Sequence, residues 1–153
     1  MMINILFVCL GNICRSPMAE FVLKQKVREK GLTHEFYIES AATSAEELGN
    51  PMHKGTIRKL EEENIPYTNH RARKLIPEDA EKFDLIIGME ESNIRNSKKI
   101  IGEGKPNQIK RLLDFSNHPK DIADPWYTGN FDQTYIDIEE GCECLLKYLL
   151  TKK

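Results

Sequence analysis

The sequence predicts an α/β fold in which a parallel sheet lies between helices on both of its faces. Short apolar runs alternate with segments that carry apolar residues at helical spacing, and this order favours right-handed crossovers between parallel strands. The first run is apolar throughout, as expected for a strand covered from two sides. The predicted strands are Ile3–Val8, Phe36–Glu39, Leu85–Met89 and Ile109–Phe115. Because 153 residues suffice for one such core, residues 1–153 are predicted to form a single domain.

The first helix is predicted directly after the first strand. Ser16 is a typical helix cap, and Pro17 suits the first helical position, where the N–H that proline lacks would have no partner. Apolar residues recur through Val27, and Gly31 is a typical stop. The sequence therefore predicts a strand, a tight turn and a helix within the first thirty residues or so.

Residues typical of turns and helix starts predict the later helices. The tripeptide Gly49-Asn50-Pro51 indicates the start of a second helix, and a further helix is predicted over Glu90–Ser97. Residues 116–130 are polar and rich in turn formers, which indicates a long loop. Asp132 is predicted to cap the last helix. One stripe of that helix is apolar and consists of Tyr135, Ile138, Cys142, Leu145 and Leu149.

Composition and charge limit the classes of function. Lys and Arg number 22 against 24 Asp and Glu, a net charge of −2, which gives no general attraction for nucleic acid or for a membrane surface. No apolar stretch is long enough to cross a bilayer, and the residues from Met1 to Asn4 do not resemble a secretion signal. Four cysteines in a chain of this kind are expected to be reduced thiols, which indicates a cytoplasmic protein.

The residues from Cys9 to Pro17 carry the clearest chemical signal. A turn between a strand and a helix can direct backbone N–H groups at one point, and the helix N-terminus adds partial positive charge there. Arg15 can bind two phosphate oxygens at once, while Gly11 and Asn12 permit unusual backbone conformations. Both the helix and the cation favour the thiolate form of cysteine. We therefore expect a phosphate-binding loop in which Cys9 attacks the bound phosphoryl group.

A second stretch supplies a candidate proton donor. The departing oxygen of a phosphate ester needs a proton, and a carboxylic acid can supply it. Asp124 precedes Pro125, which restricts its backbone, and lies beside the aromatic residues Trp126 and Tyr127. Asp124 also separates phosphate hydrolysis from two alternatives. A phosphoryl carrier with a phosphocysteine needs no general acid, and a simple anion-binding module needs no nucleophile.

Together these motifs resemble the low-molecular-weight protein tyrosine phosphatases. The similarity runs along essentially the whole chain, in the order of the family. Its motifs are the residues from Val8 to Glu20, Ser40-Ala41-Ala42-Thr43-Ser44, Gly49-Asn50-Pro51, Met89-Glu90-Glu91-Ser92-Asn93 and Asp124-Pro125-Trp126-Tyr127. The resemblance implies a flavodoxin-like three-layer fold with a central four-stranded parallel sheet and helices on both faces.

The resemblance also implies roles for individual residues. It implies that Cys9 forms a phosphocysteine, that Arg15 clamps the phosphate, and that Asp124 first protonates the leaving oxygen and then activates water. Asn12 is expected to brace the loop through Ser40. The other implied site residues are Leu10, Gly11, Ile13, Cys14, Ser16 and His70 in and around the loop, with Trp126 and Tyr127 beside the substrate.

The expected substrates are phosphotyrosine proteins or aryl phosphates, and the resemblance implies no cofactor and no metal. Cys14 is expected to form a protective disulfide with Cys9, and a monomer or a weak dimer is expected. Arsenate reductases share the fold but need further cysteines in mid-chain, which this sequence lacks. Arginine phosphatases usually have threonine at the position of Ile13. The positions Ala45, Glu46, Glu47 and Asn93 are expected to tune peptide preference.

Overall fold

A computed structural model of the chain describes residues 2–152, so that Met1 and Lys153, the ends of the predicted domain, lie outside the described residues. Within that range four strands form one sheet in the order β2-β1-β3-β4, and every pairing is parallel. The strands are β1 (Ile3–Cys9), β2 (Phe36–Ala42), β3 (Leu85–Gly88) and β4 (Ile109–Arg111). This architecture confirms the predicted fold class.

Helices cover both faces of the sheet. One face packs on α1 and α6 through Ile5 and Phe7 of β1, and the other face packs through Leu6 and Val8 on α4 and on Phe83, which directly follows α3. All four of these side chains are fully buried, as predicted for a central strand. The helices are α1 (Arg15–Glu29), α2 (Lys54–Glu62), α3 (Asp79–Lys82), α4 (Glu91–Ile101), α5 (Pro125–Thr128) and α6 (Phe131–Thr151), with 3-10 turns at Thr33–Glu35 and Leu112–Phe115.

The fourth strand is shorter than predicted. It ends at Arg111, and the chain then turns through the 3-10 helix. Leu112 and Leu113 are adjacent and both fully buried, which a strand cannot achieve at a half-covered edge because its successive side chains point to opposite faces. β2, by contrast, extends beyond Glu39, since Ser40 and Ala42 pair with Phe7 and Cys9 of β1.

Three predicted helix starts are wrong. Ser16 lies inside α1, which begins at Arg15, and its hydroxyl serves the phosphate loop instead of a cap. α2 begins at Lys54 with His53 as its cap, later than the tripeptide that contains Pro51. Asn130 caps α6 by accepting the N–H of Gln133, whereas Asp132 lies within the helix. Several polar residues stand near each of these starts, and tertiary contacts decide which one becomes the cap.

No helix of the described chain, residues 2–152, is long and apolar enough to span a membrane.

Candidate active site

The loop after β1 surrounds the sulfur of Cys9 with donors. The backbone N–H groups of Asn12 and Ser16 donate to this sulfur at 3.3 and 3.4 Å, and the Ser16 Oγ lies 3.0 Å from it. Asn12 Nδ2 donates to the same Oγ at 2.8 Å. The hydroxyl hydrogen of Ser16 is therefore free to donate to the sulfur. Donors of this kind stabilise the thiolate, the nucleophilic form of cysteine.

Asn12 fixes the shape of this loop. It is fully buried and adopts a left-handed backbone conformation, with φ 61°, which asparagine tolerates better than most residues. Its Oδ1 accepts the backbone N–H of Arg73 at 3.1 Å, and its carbonyl oxygen lies 3.0 Å from His70 Nε2. The segment that carries these two residues is itself held against the end of β2, since Ala42 N–H donates to the Arg73 carbonyl at 2.7 Å. Contacts within the protein thus hold the shape of the loop.

Ser40 does not contact Asn12, contrary to expectation. Its hydroxyl donates instead to Glu20 Oε1 at 2.6 Å, and the same carboxylate oxygen lies 4.0 Å from His70 Nδ1. Ser40 therefore reaches the loop indirectly, through Glu20 and His70. No role was predicted for Glu20, a buried carboxylate one helical turn after Ser16. Its position inside the first motif was the available signal.

Arg15 is almost completely buried, with 1% of its side chain exposed. Its Nη1 donates to the carbonyl of Ile122 at 2.7 Å and pairs with Glu90 at 2.6 Å, and its Nη2 donates to Asp124 Oδ2 at 3.3 Å. Its Nε is buried and has no hydrogen-bond partner among the described residues. The guanidinium is thus held at its tip by three of its five N–H groups, and the Nε–H and one Nη2–H remain for a ligand.

Glu90 is a site residue that the sequence analysis did not assign. It follows β3 and is the residue that precedes α4, where its backbone carbonyl accepts the N–H of Asn93 at 3.0 Å while its carboxylate pairs with Arg15. Asn93 is buried, and its Oδ1 accepts the N–H groups of Met89 and Glu90. The expectation that Asn93 tunes peptide preference is therefore wrong, because its side chain is buried and hydrogen-bonded within this turn.

Asp124 is brought to the loop from a distant part of the chain. It caps the short helix α5, where its Oδ1 accepts the N–H of Trp126 at 3.0 Å, and Pro125 occupies the first helical position. Its Oδ2 contacts Arg15, and its side chain remains 17% exposed. One carboxylate oxygen is thus fixed by the helix while the other faces the phosphate loop.

The loop and Asp124 border one cleft. Trp126 and Tyr127 form an aromatic wall that is 56% and 77% exposed, and Glu46 and Glu47 form an acidic rim. The predicted residues that line this cleft are Cys9, Leu10, Gly11, Ile13, Cys14, Asp124, Trp126 and Tyr127. Ser16, Ser40 and His70 lie behind the loop. Arg15 lines an adjoining cleft that shares Leu10, Asp124 and Tyr127 with the first.

Burial favours the neutral thiol form of Cys14 and Cys142. Burial raises the pKa of the Cys14 thiol to about 12, with further increases from Cys9 and Asp124 and an opposing effect from Arg15. Burial likewise raises the pKa of Cys142, a residue of α6 whose side chain packs in the core. Within residues 2–152, no group of three or more His, Cys, Asp or Glu side chains could hold a metal ion.

Comparison with known proteins places the chain in a family. Residues 4–153 match the model of the low molecular weight phosphotyrosine protein phosphatases. The chain belongs to this family. Bacillus subtilis YfkJ, named a low molecular weight protein-tyrosine-phosphatase, is 41% identical over 99% of both chains, and Staphylococcus epidermidis PtpA is 40% identical over 97% of this chain and 95% of that protein.

Solved structures of this family match the fold as well. The crystal structure of YfkJ gives a TM-score of 0.96 over 100% of this chain and 98% of that chain. A low molecular weight protein tyrosine phosphatase from Streptococcus pyogenes, 39% identical, gives 0.87 over 97% and 93%. These matches confirm the predicted family, its fold and the enzyme class, a cysteine-dependent phosphatase.

Proposed function

We propose that this phosphatase hydrolyses phosphotyrosine and small aryl phosphates through a phosphocysteine on Cys9, with Arg15 binding the phosphate and Asp124 as general acid and base. One observation carries the assignment. Asp124, from the far end of the chain, contacts Arg15 of the phosphate loop and lines the same cleft as the Cys9 sulfur. A nucleophile, an anion clamp and a proton donor therefore share one site.

In the first step the Cys9 thiolate attacks phosphorus, and the bond from phosphorus to the aryl oxygen breaks. Asp124, in its acid form, transfers its proton to that oxygen, so that a neutral phenol leaves. The Nε of Arg15 and the loop N–H groups bind the phosphoryl oxygens as charge develops on them. The donors that surround the sulfur favour the thiolate before the attack.

In the second step Asp124, now a carboxylate, accepts a proton from a water molecule that attacks the phosphocysteine. The bond between phosphorus and sulfur breaks, inorganic phosphate is released, and the Cys9 thiolate is restored. Asp124 thereby returns to its acid form, and the enzyme is ready for the next substrate. A phosphoryl carrier needs neither transfer, which is why an aspartate placed at this cleft favours a hydrolase.

The aromatic wall supports an aryl substrate. The rings of Trp126 and Tyr127 stand exposed at the mouth of the cleft, where they can stack on a flat leaving group. Ile13 lines the cleft where arginine phosphatases usually have threonine. Both features favour phosphotyrosine over phosphoarginine.

The test is the hydrolysis of p-nitrophenyl phosphate, of a phosphotyrosine peptide and of a phosphoarginine peptide. We expect turnover of the first two substrates by the wild type and its abolition in Cys9→Ser. Cys144→Ser is the matched control, because Cys144 lies in α6 away from the cleft, and we expect it to keep full activity. Full activity in Cys9→Ser would overturn the mechanism, and faster release of phosphate from phosphoarginine would overturn the substrate class.

The proposal includes a redox brake. Peroxide oxidises the Cys9 thiolate to a sulfenic acid and is itself reduced, and the Cys14 thiol then displaces water to form a disulfide. Both residues are buried, and both line the same cleft at the phosphate loop. Mass spectrometry of the oxidised enzyme should show this crosslink, with activity restored by dithiothreitol. Irreversible inactivation at the same dose, with no crosslinked peptide, would contradict it.

The proposed setting of the enzyme is a single domain, a monomer or a weak dimer, in the cytoplasm. The described cysteines are all free thiols, which suits a reducing compartment. α6, near the end of the chain, packs on α1, near its beginning, around one core cluster. The net charge of −2 supports protein or small-molecule substrates over nucleic acid.

A further inference from the structure

His53 lies where three parts of the site meet. It caps α2 with its side chain, since its Nδ1 accepts the N–H of Gly55 at 2.9 Å. Its backbone N–H donates to the carbonyl of Ile13 in the phosphate loop at 2.8 Å. Because the cap requires a free lone pair on Nδ1, the neutral ring carries its hydrogen on Nε2. The imidazole is therefore fixed in both position and tautomer.

The ring of His53 contacts the aromatic wall. It meets the indole of Trp126 edge to face, with the ring centres 5.6 Å apart and the planes at 79°. On its other side it stacks on Phe131, at 5.1 Å and 21°. Trp126 is 56% exposed, so neighbouring side chains leave much of the indole uncovered. The His53 ring is thus a side-chain contact that restricts the orientation of this half-exposed indole.

The packing around Phe131 shows that this support is rigid. The Phe131 ring lies over Gly55 so closely that a Cβ at Gly55 would come within 2.5 Å of two ring carbons. The same ring packs on the cluster that Ile13 and Cys14 of the phosphate loop form with Ala72. His53 is therefore held between Phe131 and its own helix cap, and its remaining ring contact is with the exposed Trp126.

We propose that His53 is a positioning residue for aryl substrates, which acts by holding the indole of Trp126 as the wall of the cleft. This inference rests on the proposed function, in which that wall stacks on the leaving group. A preset wall lowers the ordering cost of substrate binding. Losing the ring contact should raise KM for aryl phosphates by about 2- to 10-fold, the range of one aromatic pair. The effect on kcat should be small, because Asp124 is fixed by the backbone N–H of Trp126 and not by its ring.

Two substitutions separate the ring from the cap. His53→Asn keeps a side-chain acceptor at the cap but removes the ring, and His53→Phe keeps a ring but removes the acceptor. We expect the raised KM in His53→Asn, with a melting temperature near that of the wild type. In His53→Phe we expect a lower melting temperature and a smaller rise in KM. His34→Asn, at a histidine on the exposed 3-10 turn far from the cleft, is the matched control.

Two readouts distinguish positioning from a structural role. Inorganic phosphate binds the loop without touching the wall, so its competitive inhibition constant should be unchanged in His53→Asn. Trp126 is the sole tryptophan of the chain, and its fluorescence anisotropy should fall in His53→Asn but not in the control. An unchanged aryl KM in His53→Asn, or a weaker phosphate affinity in parallel with KM, would overturn the inference. An unchanged KM in Trp126→Ala would instead overturn the stacking role of the wall in the proposed function.

Discussion

Replacing Asp124 by asparagine tests the proton transfer with little change in structure. Asparagine caps helices as well as aspartate does, so it can still accept the N–H of Trp126. It cannot donate a proton to the leaving oxygen as a carboxylic acid does. General acid catalysis is worth about 10²- to 10⁴-fold, and we expect kcat/KM, which reports the step in which the leaving group departs, to fall by that factor for phenyl phosphate, whose phenolate is a poor leaving group. The loss for p-nitrophenyl phosphate should be smaller, because that phenolate leaves readily without a proton.

Asp124→Ala adds a structural effect that can be separated from the chemical one. It removes the helix cap, at a cost of about 1 kcal/mol, which for a chain of this size lowers the melting temperature by about 2–4 °C. Arg15 keeps its contacts with Ile122 and Glu90 in both variants, so inorganic phosphate should inhibit them within a few-fold of the wild type. Equal losses of kcat/KM on the two substrates, or a parallel loss of phosphate binding, would refute the role of Asp124 as an acid.

Two further changes test the frame of the site. Glu90→Gln removes the charge that pairs with buried Arg15. Because hydrogen bonds to charged groups are worth about 1.5–3 kcal/mol, we expect kcat/KM to fall at least tenfold. Glu91→Gln, at an exposed neighbour, should keep the wild-type kcat/KM, and equal effects of the two changes would contradict the pairing. Gly55→Ala forces the Phe131 ring to move and should lower the free energy of unfolding, measured by denaturant titration, by about 1–3 kcal/mol. An unchanged free energy of unfolding would show that the ring moves aside without cost.

The sequence predicts the phosphate loop well because that loop is local. Cys9, Asn12 and Ser16 are joined by hydrogen bonds that span at most seven residues, and a turn between a strand and a helix brings them together. The links that sequence reasoning missed are contacts between distant elements. Glu90 reaches Arg15 from another strand end, and Ser40 binds Glu20 from the neighbouring strand. Neither carries a local signal, since an acidic residue after a strand is common on any protein surface.

The predicted helix starts were wrong for a related reason. A polar residue near the first turn can cap a helix or serve the site, and the spacing does not say which. Ser16 donates to the nucleophile because Asn12 occupies its oxygen, and His53 takes the cap that the sequence assigned to the region of Pro51. In both cases the residue that contacts the phosphate loop has a function beyond the helix itself.

The two halves of the site differ in how they are held, and this difference bears on how substrate preference changes. The nucleophile end is buried, and Asn12 there has a left-handed backbone conformation and contacts Ser16, His70 and Arg73. Substitutions in the phosphate loop should therefore lower stability and activity together. The acid end is a four-residue helix in which Trp126 and Tyr127 are exposed, and it is held by Asp124 and by the ring contact of Trp126. Substitutions at these two exposed positions leave the core untouched. Substrate preference can therefore diverge through the wall while the chemistry of the loop stays the same.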